Sequence, residues 1–396
     1  MAVGPLCAHG VLTGQGLDRS CFGDPTGGQF PHCAASLRSG KVFRNDETVA
    51  GVTSERRAPW QMGHPRGGDS MPPTASTRLS VVIDTDPGVD DAWAILFLAA
   101  QADVEIVAIG AAHGNVPTAT AAANALRVLD VVGLNHVPVA VGHATPLQQP
   151  LQTAEFVHGE DGLGGNAGPP SPRRTSTESA AEQLVRLARQ RPGELTLLAL
   201  APLTNLALAL RKEPNLPRLL RRVVFMGGAF RVAGNITAWA DANTAHDPEA
   251  AEEVLRAGFD LTMVPMDITE HAWVDDAWLK RVANVATSAA RFASSVLDTY
   301  LAIYSDAQGT TGCLMHDPIA AAIMVDESLA TYTERQVVVE LAGHARGATL
   351  VDERKFSISQ GGIPDQRPPV RIAATVDAAT AMERVQRALL TSEAGQ

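Results

Sequence analysis

From Leu79 onward the chain repeats one alternation: a short, continuous apolar run rich in β-branched residues, then a stretch with helical spacing. The runs are LSVVID (79–84), VEIVAIG (104–110), PVAVG (138–142), LTLLAL (195–200), VVFMGG (223–228) and LTMVPM (261–266), and the spacing predicts helices over 90–101, 118–132, 177–190, 203–212 and 247–257. Runs apolar throughout, rather than at every second position, belong to strands covered on both faces, and strands joined by helices run parallel. The expected fold class is therefore α/β, an open, mostly parallel sheet flanked by helices. Ligands of such a sheet bind beyond the carboxyl ends of its strands. The polar clusters fall there: DTDPGVDD after the first run, HGN (113–115) after the second, APLTN (201–205) after the fourth and MGG (226–228) within the fifth. No internal repeat is visible.

The first of these clusters places four carboxylates, Asp84, Asp86, Asp90 and Asp91, in eight residues where a buried strand gives way to a helix. Acids at a helix N-terminus stabilise it by about 0.3 to 1 kcal/mol each, but four exceed what capping needs. Carboxylates this close repel one another, so either some keep their protons or a hard cation binds them; oxygen-only ligands point to Ca²⁺ or Mg²⁺. The Pro87-Gly88 turn supplies the bend that aims Asp86, Asp90 and Asp91 into one pocket.

Residues 1–77 read differently. They hold 12 glycines and 7 prolines without sustained apolar periodicity, near the level that marks low-complexity chain. This segment is expected to be a disordered extension, with translation naturally beginning near Met71 and residues 78–396 forming a single catalytic domain. The longest wholly apolar run, Ala92 to Ala100, is about half the roughly 20 residues that cross a bilayer. The N-terminus lacks the pattern of a secretory signal. A cytoplasmic protein with no membrane partner is expected. Three of its four cysteines lie before residue 34 and Cys313 stands alone, which supports neither a disulfide framework nor a zinc pattern. A net charge of −11 argues against nucleic acid as a partner.

Taken in order, DTDPGVDDAWAI, HGN, HGEDGLGG, LAPLTNLA, MGGAFRVAGNITAWADAN and MHDP resemble the nucleoside hydrolase family over essentially all of 79–396. The resemblance implies an open α/β fold that cleaves the N-glycosidic bond of ribonucleosides with a tightly bound calcium ion (Ca²⁺). It makes Asp86, Asp91, Asp317 and the carbonyl of Leu200 the calcium ligands. Leu200 stands where many relatives carry Thr, a departure of little weight because only the carbonyl would bind. A cation makes water easier to deprotonate, and a neighbouring carboxylate can take the proton, so Asp86 is the expected general base. The ribose would pass through an oxocarbenium-like state without a covalent sugar intermediate.

The resemblance also implies the rest of the site. Asp90 and Asn115 would meet the 2′- and 3′-hydroxyls, and Asn235, Asp241 and Asn243 the remainder of the ribose, with Met226 packed against the sugar. Asp241 stands where relatives usually carry Glu, and the shorter acid is expected to reach the 5′-hydroxyl only through water, which weakens binding of ordinary ribonucleosides. His316 would protonate or hydrogen-bond the departing base, His158 would stand beside the base as a second histidine, and Tyr304 would line the base pocket. The Gly-rich stretch 158–168 lacks the GK[ST] ending of a phosphate-gripping loop and reads as a flap over the substrate. Expected substrates are pyrimidine nucleosides or inosine, and the proteins it resembles assemble as homodimers or homotetramers. Two other classes stay open on the residues alone: a phosphohydrolase of the haloacid dehalogenase type, which also uses Asp-x-Asp after its first strand, and a non-catalytic nucleoside or ribose sensor.

Overall fold

Val81 and Ile83 point to one side of their strand and Val82 to the other, and each finds a separate apolar core. That alternation sets the architecture, one sheet between two helical layers. The computed structural model describes residues 78–354 and 367–391, which belong to one compact unit. The expectations for residues 1–77 lie outside the described residues. In chain order the strands are β1 (Leu79–Thr85), β2 (Val104–Ala111), β3 (Val139–Val141), β4 (Thr196–Ala199), β5 (Arg222–Met226), β6 (Leu261–Val264), β7 (Trp273–Asp275), β8 (Gly312–Leu314), β9 (Ala330–Arg335), β10 (Val337–Val339), β11 (Thr349–Val351) and β12 (Val370–Val376). Eight of them form the main sheet in the order β3-β2-β1-β4-β5-β6-β12-β9, and β7 with β8 and β10 with β11 make two antiparallel ribbons.

Within the main sheet every pairing is parallel except that of β12 with the edge strand β9. One face carries the helices Val89–Ala99, Thr118–Val131, His316–Val325 and Ala378–Thr391; the other carries Ala180–Gln190, Thr204–Lys212 and Pro248–Leu255. Ile83, Ile95, Leu198 and Phe225 are wholly buried, and burying one such side chain stabilises by about 1.5 to 3 kcal/mol. No helix among the described residues is long and apolar enough to cross a membrane.

Two of the observed helices start later than the periodicity predicts because a side chain caps them. The helix expected from 177 begins at Ala180 because the Ser179 hydroxyl accepts from Glu182 N and the Glu182 carboxylate accepts from Ser179 N, a reciprocal capping box. Asp247 likewise caps Pro248–Leu255 by accepting from Ala250 N at 3.1 Å.

The strand order fixes where a ligand can sit. β1 lies between β2 and β4, so the connections leaving the two neighbours run to opposite faces and a crevice opens beyond their carboxyl ends. Asp86 to Asp91 follow β1 into that crevice, and Leu200 follows β4.

Candidate active site

At the crevice β1 ends on Thr85, and the helix Val89–Ala99 begins four residues later with Asp90 and Asp91 in its first turn. Asp91 accepts from Gly88 N at 2.9 Å, from the Thr85 hydroxyl, and from Asn115 Nδ2 at 2.8 Å. Asp86 Oδ2 accepts from Asn115 N at 2.6 Å, while its Oδ1 is buried with no partner. This requires a glycine beside Asn115: a Cβ on Gly114, whose φ is +152°, would lie 1.9 Å from Asp86 Oδ2. The turn is anchored from behind, where His113 Nε2 lies 3.0 Å from the Thr204 hydroxyl, which donates to Asp247 at 2.6 Å.

Asp317, in the first turn of His316–Val325, completes an acidic floor. Oxygens of Asp90, Asp91 and Asp317 come within 4.8 Å of one another, and all three side chains are buried. Burial raises all their pKa values, Asp90 to about 7 and Asp317 well above its ordinary range, and the neighbouring negative charges push both further. Asp86 is raised well above its ordinary value by burial and then by Asp91. Among the described residues no lysine or arginine lines the cavity above them. An all-oxygen set of buried acids without a positive side chain, one of them holding an orphaned oxygen, is what a hard divalent cation fits. Asp91 and Asp317 belong both to this tight cluster and to the ligand set implied by the sequence; Asp90 is in the cluster, whereas Asp86 contributes its unpartnered oxygen.

Facing the floor is a wall of rings. His158 and Tyr300 lie with ring centroids 5.2 Å apart, Tyr300 and Tyr304 4.8 Å, and Tyr304 and His316 6.3 Å. His158 Nδ1 accepts from Val89 N at 3.1 Å, which fixes its proton on Nε2. Burial drives His158 down to about 3, with His316 adding to the effect, and burial alone takes His316 to about 4. Both imidazoles are therefore neutral at pH 7. Its Nδ1 lies 2.7 Å from the Thr269 hydroxyl and its Nε2 3.0 Å from the Tyr304 hydroxyl. Either neutral tautomer is satisfied by these partners. With the proton on Nε2, the imidazole donates to Tyr304 and frees the tyrosine O–H for the cavity.

Floor and wall bound one cavity of about 400 Å³. Asp90, Asn115 and Asp317 line its floor, His158, Tyr300, Tyr304 and His316 its wall, and Leu200, Met226, Asn235, Asp241 and Asn243 its third side. Asp86 and Asp91 lie beneath rather than on its surface. On the third side Asn243 Nδ2 donates to the carbonyls of Leu200 and Met226, each at 2.9 Å. Asp241 caps the helix Ala242–His246, and its carboxylate faces backbone and hydroxyl donors of its own loop. Residues 158–168 are tied down here: Asp161 accepts from the backbone N–H groups of Leu163, Gly165 and Ala167, and a Cβ on Gly164 would meet Val296 O at 2.3 Å.

Sequence reasoning missed Tyr300. Its signal was the four-residue spacing to Tyr304, which puts both rings on one face of the helix Asp298–Gln308. Ile303 and Ala307 extend the same face into the cavity.

The family model for inosine-uridine preferring nucleoside hydrolases matches residues 81–383. The chain belongs to the nucleoside hydrolase family. This hydrolase is 36% identical over 317 residues to a probable uridine nucleosidase 2 of Arabidopsis thaliana, covering 80% of this chain and 98% of the relative. It is also 36% identical over 277 residues to the inosine-uridine preferring nucleoside hydrolase of Crithidia fasciculata, covering 69% and 88%. Among solved structures, the plant nucleoside hydrolase PpNRh1 superposes with a TM-score of 0.76 at 33% identity, over 79% of this chain and 99% of that one. The purine-preferring ribonucleoside hydrolase from Gardnerella vaginalis gives 0.73 at 29% identity, over 79% and 98%. Membership makes the hydrolase an enzyme acting on N-glycosyl bonds.

Proposed function

We propose that the hydrolase cleaves the N-glycosidic bond of ribonucleosides to free base and ribose in a calcium-dependent reaction, with pyrimidine nucleosides or inosine as substrates. The observation that carries this is one cavity with an uncompensated acidic floor at one end and a neutral imidazole-phenol wall at the other. Asp86, Asp91 and Asp317, with the Leu200 carbonyl and Asp90 beside them, would hold the cation. When bound, calcium would supply the positive charge that orients a vicinal diol and eases deprotonation of water.

The chain's own groups do the rest. Asp86, fixed through Oδ2 by Asn115 N, is the carboxylate that takes the proton of the attacking water. Asp90 and Asn115 face the diol, and a cavity lined by no lysine or arginine among the described residues favours the cationic character that develops on the sugar ring. At the wall, the Tyr304 hydroxyl, paired with the neutral His316 ring, is placed to donate a hydrogen bond to the departing base. The same lack of basic residues weighs against a phosphohydrolase, which must neutralise a phosphoryl group, and against nucleoside 5′-monophosphates as substrates.

The test is release of reducing sugar from uridine, cytidine, inosine, adenosine and their 5′-phosphates, before and after stripping metal. Turnover of an unphosphorylated nucleoside that vanishes with the metal and returns with Ca²⁺ is expected. Binding without turnover of any member, with the metal in place, would turn the protein into a nucleoside sensor.

A further inference from the structure

Floor and wall come from different parts of the chain, so their relative placement depends on the bonds between them. The loop 158–168 that carries His158 is stiff within itself, since Asp161 accepts from the backbone N–H groups of Leu163, Gly165 and Ala167. A stiff loop moves as one body, and the bonds that tie it to the turn after β1 decide where the His158 ring stands. One of these is direct: Val89 N donates to His158 Nδ1 at 3.1 Å, which leaves the ring's Nε2–H for the cavity that His158 lines. A second link runs through Asn124, a residue outside the cavity.

Asn124 lies in the helix Thr118–Val131 and is wholly buried. Its Nδ2 donates to Pro87 O in the floor turn at 3.0 Å and to Asp161 O in the His158 loop at 2.8 Å. A side-chain amide carries two N–H donors, so both are spent on this clasp. Its Oδ1 accepts from Arg127 Nη1 at 2.9 Å, and that cationic donor fixes which way the amide faces. Arg127 Nε also donates to Pro169 O at 3.2 Å, just past the loop. Gly162 closes the clasp from the loop side. A Cβ there would lie 2.9 Å from Asn124 Nδ2 and 3.1 Å from Pro87 O, and its φ of +77° favours glycine as well.

We infer that Asn124 is a positioning residue for departure of the base: it holds the His158 loop in register with the floor turn, and so sets the His158 ring against the leaving group. The inference rests on the proposed function, which puts the base at the wall. The floor keeps its own geometry without the clasp, because Asp91 is held by Gly88 N and Asn115 Nδ2 and Asp86 by Asn115 N. The His158 loop has no such second hold on the floor turn beyond the bond from Val89. Replacing the amide by a carboxylate of the same size, Asn124→Asp, leaves the core volume unchanged but sets an acceptor against two carbonyl oxygens. Loop and turn are then pushed apart, and a misplacement of about 1 Å at a reacting group costs on the order of 10²-fold in rate.

The experiment measures kcat and KM of the calcium-loaded protein on uridine and on p-nitrophenyl riboside, whose leaving group needs no help from the wall. It compares the parent with Asn124→Asp and Arg127→Met, using melting temperatures to show that each is folded. Asn124→Asp is expected to lower kcat on uridine by about 10²-fold with KM within about threefold, and kcat on the riboside by less than about tenfold. Arg127 is half-buried, and Arg127→Met keeps the Asn124 amide while removing the group that orients it. A loss of about tenfold on uridine with the riboside unchanged is expected, and this variant decides the matter if Asn124→Asp does not fold. Equal losses on the two substrates, or full uridine turnover by a folded but less stable variant, would make Asn124 a structural residue only and overturn the inference while leaving the nucleosidase reading intact. A parent protein inactive on every nucleoside would instead overturn that reading, and this inference with it.

Discussion

The floor and the wall of the cavity lie side by side yet solve opposite electrostatic problems. The floor gathers Asp86, Asp90, Asp91 and Asp317 on the ends of rigid elements and leaves their charge to be met from outside the chain. The wall keeps His158, His316, Tyr300 and Tyr304 uncharged by burying them, and meets their hydrogen-bonding needs from within. Cleavage of an N-glycosidic bond needs both. The nucleophile must lose a proton where positive charge is available, and the departing base must meet a hydrogen-bond donor.

Breaking the floor should cost most. Asp86→Ala removes a proposed cation ligand and the proposed base together, and a fall in kcat/KM of about 10⁴-fold or more is expected on every nucleoside, with loss of calcium binding measured in parallel. Breaking the wall should be selective. His316→Ala is expected to slow uridine by about 10²-fold or more, and p-nitrophenyl riboside, whose leaving group needs no proton, by less than about tenfold. Equal losses on both would take His316 out of leaving-group chemistry.

The smallest effect sharpens the contrast through stability. Floor carboxylates have folded pKa values above their unfolded ones, Asp90 at about 7, so between pH 8 and 6.5 the metal-free folded state binds more protons than the unfolded chain and gains stability as pH falls. The buried histidines are depressed instead, His158 to about 3 and His316 to about 4, from the ordinary 6.5. Below pH 6.5 these two residues oppose the gain, because the unfolded chain takes up protons that they refuse, while the floor carboxylates go on favouring the folded state down to the ordinary carboxylate range. Melting temperature of the metal-free protein is therefore expected to rise as pH falls from 8 to 6.5 and to rise less steeply below that. Saturating calcium, which binds the ionised carboxylates, should remove the rise between pH 8 and 6.5. A rise unchanged by calcium would show that the floor does not bind it.

The same contrast explains what was legible in the sequence. The floor could be read because its residues are contiguous: a strand, a Pro-Gly bend and a helix start carry Asp86, Asp90 and Asp91 in one glance. The first six strands were legible for a similar reason, since runs such as LTLLAL are apolar throughout and punctuated by turn residues. Past residue 266 the signal fades. β7 and β8 are three residues each, and β9 reads ATYTER because it is a half-exposed edge. The wall comes largely from this part, so Tyr300 was missed although its ring touches both His158 and Tyr304. The capping role of Asp241 was illegible too, because its partners Gly228 and Thr244 meet it only once the loop between them has folded back.

The sheet order carries a consequence for how the protein is made. β12, the last strand, lies between β6 and β9, so β9 is synthesised before the only neighbour through which it joins the main sheet. A chain cut short before Val370 leaves β6 as an open parallel edge and β9 without a partner in that sheet. Unpaired edges of this kind recruit other chains. Truncation before Val370 is therefore expected to raise aggregation, because among the described residues only β12 covers both edges.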